Sequence, residues 1–288
     1  MLSLASAVSP IHILHEAERF CVVAKPAGCV VHRNAFSRRD DVPLMQRVRD
    51  QLGRYVHPVH RLDGGTSGCL LFAFDPEACA ELQAAMQSPT AQKTYLAHCR
   101  GDARAIQDTI VDRPIKDQGG TTRTAVTHLQ CIASCSDDLL ERSSLVRCTP
   151  QTGRWHQIRK HLNGLSHPIL GDAKHGDSRV NRWWREEFDF RHLGLHCHEL
   201  QLTLADGEPL HVRCPVRPDL VRVWSSLPWW EEACAAMPSL RDDAADGLLA
   251  DRLAYASEDH THRAAAAGRG LVVFHTGAAA AAACKQRR

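Results

Sequence analysis

The run Cys69-Leu70-Leu71-Phe72-Ala73-Phe74 constrains the fold of this chain more than any other segment. Six consecutive apolar residues have no polar side to offer to water, so they read as a short strand buried on both faces. Gly68 stands just before the run and Asp75-Pro76 just after it. Aspartate caps a helix by accepting from its free amides, and proline suits a first helical turn because no amide partner is needed there. Ala78, Leu82, Ala85 and Met86 then follow at helical spacing. A buried strand leading directly into a capped helix is the expectation.

The chain as far as about Trp230 continues to mix the two elements. Ile13 to Lys25 reads as a strand region around the buried run Phe20 to Ala24, closed by the turn chemistry of Pro26-Ala27-Gly28. Val30-Val31 reads as extended, and Leu44 to Leu52 as a helix with arginines on its outer side. Further strands are expected at Lys93 to Cys99, Thr124 to Cys131, Ser144 to Cys148 and Leu200 to Leu204. Strands and helices alternate without the regular repeat of a doubly wound sheet, which indicates an α+β fold. The main domain is expected over residues 13–230, after a short leader at 1–12. Beyond it, 231–288 reads as a partly disordered extension, because its alanine-rich stretches at 264–267 and 278–283 offer little to close a core.

With 44% hydrophobic and 24% charged residues among 288, the composition is that of a soluble globular protein. No apolar run approaches the roughly 20 residues that cross a bilayer. The start, MLSLASAVSPIH, lacks the charged head and long apolar middle of a secretory signal. A cytoplasmic protein with no membrane partner is therefore expected. The twelve cysteines are scattered and never form C-x-x-C, which argues against structural zinc and against a disulfide framework. Buried reduced thiols are the expectation. The net charge of +2 conceals an uneven distribution. Arg33, Arg38, Arg39, Arg47, Arg49 and Arg54 crowd one stretch, and a second holds Arg154, Arg159, Lys160, Lys174, Arg179, Arg182 and Arg185. One face can thus be far more basic than the whole.

Two segments carry candidate chemistry. In HRLDGGTSG, His60 to Gly68, a carboxylate at Asp63 sits among glycines that permit a sharp turn, directly before the buried strand. Taken alone, this is best read as a turn whose aspartate bonds nearby amides. The second segment runs from Thr152 to Leu162. A helix from about Arg154 would align Trp155, Ile158 and Leu162 in an apolar stripe. Arg159 falls on that buried side, four residues after Trp155 and three before Leu162. A guanidinium there needs a carboxylate, because an unpaired buried charge is costly, and Asp63 is a candidate partner. The alternative is an arginine that snorkels to solvent.

These residues resemble the pseudouridine synthases of the ribosomal large subunit synthase A type. HRLDGGTSG matches the signature of that family. Val23-Ala24-Lys25-Pro26-Ala27-Gly28 with Val31-His32 resembles its entry motif, and Lys93-Thr94-Tyr95 its Lys-x-Tyr strand. Thr152 to His161 resembles its TGR-x-HQIR-x-H helix, and His167 to Asp172 and Leu195-His196 follow in order. The matches span about residues 13 to 215. Val31-His32-Arg33, Met45 to Gln51 and Gly171 to Arg182 further resemble a branch of the family that modifies uridine 65 in the T stem of tRNA.

The resemblance implies a mixed, mostly antiparallel sheet flanked by helices, with a central active-site cleft. It implies Asp63 as the catalytic carboxylate, Tyr95 stacked on the uracil, and Arg159 paired with Asp63. Arg61, His60, Thr66, Arg154 and His156 would lie on the substrate side, with Arg61 bracing the gap left by a flipped nucleotide. His60 is the weakest of these, since it can equally position the loop backbone. A tRNA substrate is implied, with no obligatory protein partner. Substrate and product are isomers, so no cofactor or metal is expected. A metal reading of His196 and His198 with Asp172 stands against a plain strand-edge histidine pair. For the segment Arg179 to Arg191, with Trp183 and Trp184, contact with RNA and packing of its tryptophans remain equal alternatives.

Overall fold

The computed structural model describes residues 10–33, 42–135 and 142–245. In chain order the elements are β1 (Ile13–Glu16), β2 (Phe20–Lys25), α1 (Leu44–Leu52), β3 (His57–Pro58), β4 (Ser67–Ala73), α2 (Pro76–Gln87), β5 (Gln92–Arg100), β6 (Thr109–Asp112) and β7 (Ile115–Lys116). They continue with β8 (Thr122–Arg123), β9 (Val126–Ser134), β10 (Ser143–Pro150), α3 (Gln157–Gly164), α4 (Ser178–Phe188), β11 (Leu195–Thr203), β12 (Pro209–Arg213), α5 (Pro218–Trp224) and α6 (Trp230–Ala236). Ten strands join one sheet in the order β1-β2-β4-β11-β5-β10-β9-β6, with β3 added to β4 and β12 to β11. β7 and β8 form a separate ribbon. Among the described residues every pairing is antiparallel except β4 with β11. The α+β expectation holds.

β4 is buried along its whole length, as its unbroken apolar run requires. It lies between β2 and β11. Asp75 caps α2 by accepting the Ala78 amide at 2.7 Å. The period-two geometry of a strand then sorts side chains between two cores. From β5, Tyr95, Ala97 and Cys99 enter a first core that also holds β2, β4 and Ile158 and Leu162 of α3. Leu96 enters a second, built around Trp184, Trp224, Trp229, Leu220 and Leu240. The sheet is thus a wall with a packed core on either side, and the candidate site belongs to the Tyr95 side.

Four expectations shift. Val30 and Val31 form no strand; their carbonyls accept the amides of Leu44 and Met45 and so close the start of α1, which has no side-chain cap. The leader does not end cleanly at residue 12, because Ile11 is buried and exchanges two hydrogen bonds with the Gln51 amide. The packed body also runs past residue 230. Ala233, Cys234, Met237 and Leu240 recur at helical spacing and fill the second core. Residues 246–288, with their alanine-rich stretches, lie outside the described residues. Finally, Trp184 of α4 is fully enclosed in the second core while Arg182 and Arg185 stay exposed, so that tryptophan packs. All eleven described cysteines are free thiols, seven of them buried to 3% or less.

Candidate active site

Asp63 lies in the turn that feeds β4, where the Thr66 amide donates to the Asp63 carbonyl at 3.0 Å. The glycines act here through space rather than through unusual dihedrals. Neither Gly64 nor Gly65 has a positive φ. A Cβ on Gly65 would stand 3.1 Å from that of Leu193. Gly68 is stricter: its φ is 111°, and a Cβ would fall 2.1 Å from the Cys197 carbonyl oxygen, where β4 meets β11. Lys25 pins the turn from below. Its Nζ donates to the carbonyls of Gly64, Thr66 and Pro26 at 3.0, 2.7 and 2.9 Å. Burial pushes this ammonium down to about 8.

The Asp63 carboxylate is met from α3. Arg159 Nη1 donates to Asp63 Oδ2 at 2.9 Å, while its Nε and Nη2 donate to Asp172 Oδ2 and Oδ1 at 2.7 and 2.8 Å. Arg159 is therefore shared by two carboxylates. Burial works against its charge, but the Asp172 and Asp63 carboxylates outweigh it and raise the guanidinium above its usual value. Asp172 is wholly enclosed. Burial alone would raise its carboxyl; Arg159 and the amides of His175 and Lys174 reverse that and hold it below the usual range. Those two amides reach Asp172 Oδ1 at 2.9 Å each.

His156 stands just before α3 with a left-handed φ of 57°, a conformation uncommon for a residue with a Cβ. This turn delays the start of the expected helix to Gln157. Trp155 therefore lies outside α3 rather than on its apolar stripe, and its ring stacks on His156 at 3.9 Å between centroids. His156 Nδ1 lies 2.8 Å from His175 Nε2, and its Nε2 approaches Asp63 Oδ2 at 3.7 Å. Burial brings His156 down to about 4, against the pull of Asp63, so the ring is neutral at pH 7. Asp63, Arg159, Asp172, His175 and His156 thus close a ring of contacts.

A cavity of about 550 Å³ opens over this ring. All eight residues singled out from the sequence line it. Tyr95 is a buried wall whose phenol is raised well above its usual value by burial and by Cys197. Thr66 is buried, and Arg61 and Arg154 stand exposed at the rim. His60 accepts the Leu71 amide at 3.2 Å, so it also braces the loop. The contact of His175 with His156 and the service of Asp172 to Arg159 carry no local signal in the sequence. His196 and His198 both contact the Cys214 carbonyl at 3.1 Å, and His196 also contacts Ser67. Asp172 is committed elsewhere, and among the described residues no cluster of three or more His, Cys, Asp or Glu is placed to hold a metal.

A family model described as RNA pseudouridylate synthase matches residues 19–164. The chain belongs to the RNA pseudouridylate synthase family. It is 37% identical over 218 residues to a tRNA pseudouridine synthase C of Pectobacterium carotovorum subsp. carotovorum, a match covering 69% of this chain and 57% of that one. It is 34% identical over 233 residues to the tRNA pseudouridine synthase C of Vibrio vulnificus (strain CMCP6), covering 75% and 94% respectively. The chain spans a little over half of the first relative and nearly all of the second. Among solved structures, human RNA pseudouridylate synthase domain containing 4 aligns with a TM-score of 0.59 at 26% identity, over 74% of this chain and 92% of that one. The family is one of isomerases.

Proposed function

We propose that this protein converts uridine to pseudouridine in tRNA, at position 65 of the T stem, with Asp63 as its catalytic carboxylate. The observation that carries this reading is the Asp63–Arg159–Asp172 bridge at the floor of a cavity walled by Tyr95. The reaction breaks the bond between ribose C1′ and uracil N1, turns the base, and joins C1′ to C5. A proton leaves C5 and one is taken up at N1, so atoms balance without a cofactor. A uridine within a stem must first be flipped out, at a cost of a few kcal/mol. In this reading Arg61, exposed at the rim, would brace the vacated stack, and Tyr95 would stack on the extruded uracil.

Asp63 then acts at C1′ while the base is detached. A carboxylate acts as a nucleophile only as an anion, and the charge-assisted hydrogen bond from Arg159 fixes the direction of Asp63. Asp172 prevents Arg159 from turning wholly to Asp63, so one oxygen of Asp63 stays available. His156 lies beside the other oxygen, the one Arg159 holds, as a neutral ring and adds no competing charge. The tRNA assignment is supported by its likeness to the tRNA pseudouridine synthase C relatives. Its test is a map of pseudouridine in cellular RNA with and without the gene. Loss at tRNA position 65 is expected; loss at a ribosomal uridine with tRNA unchanged would overturn the assignment.

A further inference from the structure

Two lysines converge on one indole at the mouth of the cavity. Lys160 Nζ lies 4.5 Å, and Lys174 Nζ 4.3 Å, from the centre of the Trp155 ring. An indole face attracts ammonium groups, but gathering two of them there sets like charges against each other. Burial lowers Lys160, and repulsion from Lys174 adds to that lowering. Elsewhere such charges are neutralised. Arg19, Arg100, Arg213 and Arg217 each have a carboxylate at 3.0 Å or closer. Lys160 and Lys174 have none within 4.0 Å among the described residues, and neither do Arg113 and Lys116.

These cations also form a track. Lys160 lines a second groove of about 310 Å³ together with Arg113 and Lys116, and no carboxylate is among the residues lining it. Lys160 Nζ donates to the Lys116 carbonyl at 2.6 Å, which ties the β7–β8 ribbon to α3. Trp155 lines the main cavity. Lys160 thus lines the second groove and touches Trp155, which lines the cavity.

We propose that Lys160 and Lys174, gathered on Trp155, bind the RNA phosphodiester beside the flipped nucleotide, and that Lys116 and Arg113 bind the next phosphates along the same strand. This rests on the reading that the cavity accepts a nucleotide of RNA. A flipped base remains joined to its backbone, so flanking phosphates must pass the rim. A phosphate between the two ammonium groups relieves their repulsion and gains two charge-assisted contacts. The indole keeps both lysines in place before RNA arrives, which reduces the ordering cost of binding.

The test measures binding of a synthetic T-arm stem-loop RNA to the full chain across a salt series. For Lys160→Gln with Lys174→Gln, affinity near physiological salt is expected to fall on the order of tenfold, and the slope of log K against log salt to shallow by about one to two. Arg222→Gln, which removes a charge elsewhere, leaves the slope as it is. Neutral methylphosphonates placed one at a time in the RNA supply the second arm. At one or two positions they should weaken the native protein several-fold and have no further effect on the double variant. An unchanged slope, or full additivity at every position, overturns the site. Both lysines are at least partly exposed, and a thermal melt checks that the variants fold. If the native protein forms no pseudouridine in this RNA, the functional reading fails there, while the salt slope still decides the phosphate site.

Discussion

The two faces of β5 bury polar groups in opposite ways. On the cavity side, Asp63, Arg159, Asp172, His156 and His175 are enclosed to varying degrees, and each has a named partner. On the other side His98 is fully buried among Trp184, Phe190, Trp224 and Trp229, whose ring centres lie 5.0 to 6.2 Å away. Neither of its ring nitrogens has a hydrogen-bond partner. The first arrangement holds charge in place; the second admits no charge at all. Burial accordingly takes His98 down to about 3. Beside β5, the cavity face keeps ions, and the aromatic cage around His98 excludes them.

The largest expected effect lies at the centre of the charged face. Asp63→Asn keeps the shape and removes the anion. Turnover should fall at least a thousandfold while RNA affinity stays within a few fold, as single-turnover rates and binding isotherms would show. Appreciable residual turnover would remove Asp63 from its role. Asp172→Asn comes next and separates the two halves of the bridge. It leaves Arg159 buried with a single carboxylate, and breaking such a pair costs about 3 kcal/mol. Denaturant melts should show that loss, and turnover should fall with it because Arg159 is then free to swing. A variant that keeps both native stability and native turnover would show that Asp172 merely fills space.

The reverse face gives the third test, through pH. His98 has an ordinary value of 6.5 and a folded value of about 3, so below pH 6.5 the unfolded chain takes up the proton first. Stability from keeping this ring neutral is full above pH 6.5 and is lost as pH falls toward 3. At pH 5 that loss is about 2 kcal/mol for one such group. His196 and His198 are lowered by burial as well, to about 4 and 3, so the acid limb should be steep. His98→Leu removes both the titration and the two unsatisfied nitrogens. It should match or exceed the native protein at pH 7 and exceed it clearly at pH 5, by chemical denaturation at each pH. An unaltered acid limb would place the acid sensitivity in other groups.

How much of this was visible in the chain depends on how local each signal is. The helix at Leu44–Leu52 and the strand–cap–helix run through Asp75 are written in adjacent residues. Arg159 facing Asp63 was also legible, because a cation on a buried helical face must find a carboxylate somewhere. The bridging role of Asp172 was not, since nothing in its neighbourhood says which cation it will meet. His175 reaches His156 only because the 172–175 turn is pinned to Arg159. Trp155 was misplaced for a different reason. The left-handed turn at His156 interrupts a pattern that is otherwise helical, and no propensity marks it. The second core extends past residue 230 through alanine, cysteine and methionine, whose small or flexible side chains give a weak apolar stripe beside the acidic Glu231 and Glu232.

Asp75 supplies the smallest effect and the control for both faces. It is an aspartate with clear partners, the Ala78 amide at 2.7 Å and Arg19 at 3.3 Å, yet it belongs to neither face of β5. Its side chain is 40% exposed, so its ion pair with Arg19 is screened and contributes little. Arg19 in any case keeps Glu81 at 2.9 Å. What Asp75→Ala removes is the cap of α2, worth about 1 kcal/mol. Its melting temperature should drop by a few degrees and its turnover should not change. If instead turnover fell as it does for Asp172→Asn, loss of activity would follow loss of stability in general. The bridge at Asp63 could then no longer be inferred from the Asp172 variant, and only Asp63→Asn would still probe the chemistry.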